Sequence, residues 1–195
     1  QPEIIGPVLL GSFASVMGFV PVWLWISRRI GKHRAAGLSL ILAICINACV
    51  AMLLRPGDGW WFVAAMLAAG AASAGFQTLP LAMMGDIIDY DALKTGTARG
   101  GLYFGIWSFA QKLSPALAVG MTLPFLTFVG FDPAAKGSHA GVEALKYVYA
   151  LGSMPFFLAG AFLLMAFPID ARRHGIIRRR LDARTDREAR AVAAA

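Results

Sequence analysis

The chain has 195 residues, of which 58% are hydrophobic and only 15% charged, and it carries a formal net charge of +7. Soluble domains average about 25% charged residues, so this composition and a mean hydropathy of +0.64 exclude a water-soluble enzyme or binding module and mark a multispan membrane protein. The length suits one membrane domain with no soluble domain beside it.

The opening Gln-Pro-Glu lacks the basic n-region of a signal peptide and an initiator methionine, as expected of a fragment or a processed form. Five apolar runs are long enough to cross a ~30 Å hydrocarbon core. They cover residues 4–26, 36–54, 60–84, 101–130 and 147–167, and residues 171–195 form a basic tail. Lipid offers backbone polar groups no partner, so each run is expected to be a helix, and the chain an all-α membrane protein with five transmembrane helices. The alternating pattern of a barrel strand is absent.

The first run ends in Arg28-Arg-Ile-Gly-Lys-His-Arg34, a short basic connection. Arg29 and Lys32 stand on either side of a glycine turn there, and can serve orientation alone or pair with acids at helix ends when that side closes. In the second run, Cys45 and Cys49 fall one helical turn apart. They read as buried packing residues rather than a disulfide framework or a metal site, since no His or acid lies near them.

The third run contains Ala68-Ala-Gly-Ala-Ala-Ser-Ala-Gly75, a small-residue surface that lets helices approach closely. Beyond it, Asp86, Asp89 and Tyr90 have the i, i+3, i+4 spacing of one helix face, and Lys94 and Arg99 follow. A short amphipathic helix on the membrane surface, acting as a gate, is expected there.

The fourth run places Lys112 roughly 16 Å from Gly101, near the bilayer midplane, where an ammonium costs at least ~2.5 kcal/mol and is too deep to snorkel easily. At 100° per residue, Tyr103, Trp107, Ser108, Gln111 and Lys112 occupy about half the circumference. An indole beside an amide, a hydroxyl and an ammonium suits a sugar: the ring stacks on C–H faces and the polar groups bond hydroxyls. The alternative is that Lys112 pairs with a carboxylate from outside these spans, which hold no acid of their own.

Basic residues set orientation. Arg28, Arg29, Lys32, Arg34, Lys94, Arg99 and the tail arginines fall on one side, while Arg55, Lys136 and Lys146 fall on the other. The first side, with the C-terminus, is therefore expected to be cytoplasmic, in the inner membrane. Attraction to anionic lipid suffices to explain the tail, and nucleic acid is not expected as a partner. No HExxH, nucleophile–base pair or phosphate loop appears, so neither an enzyme nor a resident cofactor is expected.

Gly85-Asp-Ile-Ile-Asp-Tyr-Asp-Ala-Leu-Lys-Thr-Gly, then Gly101-Leu-Tyr-Phe and Gln111-Lys-Leu, resembles the glycoside–pentoside–hexuronide:cation symporter family, the melibiose-permease-like branch of the major facilitator superfamily. The resemblance implies that the five spans are helices eight to twelve of a twelve-helix rocker-switch carrier, coupling a sugar or glycoside to Na⁺ or H⁺. It implies that Lys112 lines the central cavity, with Trp107 and Ser108 facing it. It also implies that the main cation site lies in an N-terminal six-helix half not contained here. Relatives moving drugs or lysolipids share the fold, so a lipid carrier is an alternative, as is a non-transporting membrane interaction subunit.

Overall fold

A computed structural model describes residues 5–53, 59–97, 99–128, 152–167 and 175–181, with 183, 186, 187 and 190. Among them the chain is all α-helical: α1 (Ile5–Ile30), α2 (Lys32–Leu53), α3 (Gly59–Thr95), α4 (Gly100–Phe128) and α5 (Met154–Met165). By length and composition, α1, α2 and α3 can cross a membrane. The Gln111–Lys112 pair lowers the hydropathy of α4, which at 29 residues is long enough. The described part of the fifth expected span is the 12-residue α5; residues 129–130 and 147–151 of the expected spans lie outside the described residues.

The expected loop between the first two spans is a single residue. Gly31 adopts φ 95 between α1 and α2, its amide donates to Ser27 O at 2.9 Å, and its carbonyl accepts from Ala35 N at 3.0 Å. Apolar-run reading stops at the first charges, yet both helices continue through them, because cationic side chains at a helix end sit in the headgroup layer. Gly31→Ala would place a Cβ in left-handed backbone and is expected to cost about 1–2 kcal/mol, read as a lower unfolding temperature in detergent.

A second correction concerns residues 85–95. They form no separate surface helix but the last turns of α3, which ends where Gly96 takes φ 73. Gly96 N caps Ala92 O at 2.9 Å, and Thr95 Oγ1 donates to Asp91 O at 2.8 Å.

α3 is the centre of the packing, set against both α1 and α2, while α5 lies on α2 and α4 touches α3 only sparsely. The small-residue run permits this. Gly70, Ala72, Ala74 and Gly75 are buried, and a Cβ on Gly70 would lie 2.8 Å from Ser12 O of α1. Ser15 Oγ donates to Leu67 O at 2.7 Å and Trp23 Nε1 to Ala71 O at 2.8 Å. Side-chain donors thus bolt α1 to the backbone of α3, the kind of glue that membrane bundles use between helices. Trp23, Ala35, Ala36, Ala74 and Leu79 make the core. Because Gly70 faces backbone, which cannot swing aside, Gly70→Ala is expected to destabilise by about 1–3 kcal/mol. Thermal unfolding of the purified protein measures it, and an unchanged midpoint would contradict this packing.

Met165 of α5 reaches Gly37 of α2, 3.2 Å from where a Cβ would stand. The last turn of α5 therefore lies beside the first turns of α2, near the end of the bundle that holds Gly31 and Lys32.

Candidate functional site

Two groups of residues carry the candidate chemistry: a charged cluster at the Gly31 end and the polar-capable stretch of α4.

At the Gly31 end, the one-residue corner fixes Lys32 as the first residue of α2 and aims it across to α3. Its Nζ lies 2.6 Å from Asp86 Oδ1 and 2.9 Å from Oδ2, and donates to Ala82 O at 3.3 Å. Asp86 is buried, at 6% exposure, whereas the Lys32 side chain keeps 37%. A carboxylate this buried needs a cation, and Lys32 supplies it while its stem stays in contact with water. The pairing of the basic corner with an acid at a helix end is thus realised at Lys32 and Asp86.

The other expected gate residues are arranged differently. Arg29 places its guanidinium 5.4 Å from the Trp25 ring centroid, a cation–π contact within α1 rather than an ion pair with α3. Asp89 is half-buried and engaged in a contact of its own. Tyr90 is 46% exposed. Lys94 is exposed, and so is Arg99, whose Nε donates to Thr97 Oγ1 at 3.0 Å in the turn before α4. Asp91 was not singled out by spacing. It is half-buried, and its Oδ2 has no hydrogen-bond partner among the described residues.

On α4, Tyr103 and Trp107 are half-buried and stand four apart on one side, while Ser108, Gln111 and Lys112 are exposed. So are the apolar residues around them: Leu102 and Ile106 at 60% each, and Phe109 at 65%. Pro115 lacks an amide hydrogen, so the Gln111 carbonyl loses its usual helical partner beside Lys112. The described residues do not close a cavity over this face.

A cleft of about 560 Å³ lies between α2 and α3, lined by residues that include Cys45, Cys49, Leu53, Trp61, Ala65 and Ala68. The cysteines are free and exposed rather than buried. Apart from the two thiols and the Trp61 indole with its N–H, its lining side chains are aliphatic. Composition hides such a cleft, because the same small and apolar residues also pack helices together.

Apolar helices tied by small-residue contacts, with ionisable groups at one end of the bundle and within one long helix, mark a polytopic membrane domain. The chain belongs to the MFS/sugar transport protein family, which it matches over residues 5–171. It is 26% identical over 169 residues to sodium-dependent lysophosphatidylcholine symporter 1 of Mus musculus, covering 85% of this chain and 31% of that protein. It is 28% identical over 175 residues to a sphingosine-1-phosphate transporter of Mus musculus, covering 86% and 34% respectively. An uncharacterised symporter of Synechocystis is 28% identical over 138 residues, 68% of this chain and 25% of that one. The chain therefore spans about a third or less of the length of these relatives.

Proposed function

We propose that this chain is the C-terminal half of a cation-coupled symporter whose substrate is a single-chain phospholipid or a related anionic amphiphile. The similarity to symporters of lysophosphatidylcholine and to a sphingosine-1-phosphate transporter carries this reading. The chemistry of α4 supports it. Lys112 is a compact cation suited to a headgroup phosphate, and exposed Phe109 and Leu113, within a turn of it, offer apolar surface to a chain. Trp107, Tyr103, Ser108 and Gln111 line the same stretch. Lys32, Asp86, Asp89, Tyr90, Lys94, Arg99 and Arg29 close the cytoplasmic mouth. The basic end with the C-terminus faces the cytoplasm, a placement that the distribution of lysines and arginines supports. The coupling ion is Na⁺ or H⁺, with its main site in the N-terminal half, and the five helices correspond to helices eight to twelve.

A sugar or glycoside is the second reading, favoured by the polar-capable face from Tyr103 to Lys112 and by the family description. The two separate in one experiment on the complete protein in proteoliposomes. Lysophosphatidylcholine uptake should follow an imposed Na⁺ gradient and stop with an ionophore. Gradient-driven glycoside uptake with none of the lipid would overturn the lipid reading and leave the carrier reading standing.

A further inference from the structure

Residues 175–181, Gly-Ile-Ile-Arg-Arg-Arg-Leu, are helical. In sequence they follow α5, whose last turn lies beside Gly37. Ile177 is buried, at 8% exposure, and Leu181, one turn further on the same side, is half-buried. That side is seated on protein. Ile176, in contrast, is 47% exposed.

At 100° per residue, Arg179 and Arg180 lie about 60° and 40° to either side of Ile176, while Ile177 and Leu181 centre about 120° away. Arg179 and Arg180 are exposed, the segment contains no acid, and neither arginine forms an ion pair among the described residues. An exposed β-branched apolar side chain flanked by two exposed guanidiniums is poorly suited to water. It is well suited to the boundary where acyl chains meet phosphates.

We propose that the Ile176–Arg179–Arg180 face is a binding surface for anionic phospholipid headgroups, with the buried Ile177 side turned to protein so that this face is left to the membrane. The guanidiniums match phosphate oxygens in bidentate geometry, and Ile176 enters the apolar boundary beneath them. The attraction legible in the sequence treats all the tail arginines alike; burial of Ile177 orients the segment and singles out two of them. This surface operates whatever solute the carrier moves.

The test is hydrogen exchange of the full-length protein in nanodiscs of phosphatidylcholine, with and without phosphatidylglycerol. Amides 176–181 should exchange more slowly in the anionic discs. Arg179→Ala with Arg180→Ala should erase that difference, a shift of roughly thirty-fold in the docked equilibrium. Arg187→Ala with Arg190→Ala should retain it. Equal exchange in the two lipids, or anionic-lipid protection that survives loss of Arg179 and Arg180, would overturn the proposal. Protection of equal strength in neutral discs would assign the face to a protein contact instead.

Discussion

Replacing Lys112 by alanine in the complete protein is expected to abolish gradient-driven uptake while leaving membrane insertion intact. The argument is one of sign. An ammonium within the span costs at least ~2.5 kcal/mol to hold there, so a structural account of its removal predicts an unchanged or firmer fold. A functional account predicts loss of a charge-assisted contact to the solute, about 1.5–3 kcal/mol or roughly 10- to 150-fold in affinity. Substrate binding and thermal unfolding measured on the same preparation separate the two. Weaker binding with an unchanged midpoint is expected, and undiminished uptake would remove Lys112 from the substrate path.

Lys32→Ala is expected to act in the opposite sense, lowering stability. It leaves Asp86, at 6% exposure, with no cation from α2. A charged hydrogen bond lost from a buried carboxylate costs about 1.5–3 kcal/mol. The cost falls below that of breaking a fully buried pair, because the Lys32 side chain keeps 37% of its exposure and water screens it. Adding Asp86→Asn to Lys32→Ala should recover much of the loss, since an amide requires no counter-charge. Unfolding midpoints of the two single variants and the double variant complete the cycle. If the pair also closes the cytoplasmic mouth, the same variants should label faster with an aqueous thiol reagent at a cysteine introduced at Ala82.

Each of the five helices α1–α5 overlaps one of the five apolar runs, because lipid permits little else over such stretches. Their ends could not be read from run length. Apolarity stops at Ser27 and resumes near Ala35, yet the helices meet at Gly31. Likewise the acids after Gly85 read as a separate element, whereas helical hydrogen bonding carries on to Thr95. Charge patterning reports the membrane boundary, and the helix boundary is set by where the backbone can turn. Of the charged corner, the Lys32–Asp86 pairing was legible in kind but not in partner. The Arg29–Trp25 contact was not, because Trp25 falls inside an apolar run, where an indole reads as lipid-facing or packed. The exposure of Cys45 and Cys49 goes with the cleft they line between α2 and α3, which no one-dimensional pattern encodes. On α4, Tyr103 and Trp107 share a half-buried side, whereas Ser108, Gln111 and Lys112 are exposed like the apolar residues around them, so exposure among the described residues does not set the polar-capable arc apart.

α3 carries Pro80 within its length. On one side of that proline its carbonyls at Leu67 and Ala71 accept from α1. On the other side, Ala82 and Asp86 are gripped by the first residue of α2. A flexure at this weakened point of the backbone would therefore be felt as a change in tilt between two neighbours joined by a single glycine. The three helices form a linkage in which α3 is the jointed rod and Gly31 the pin.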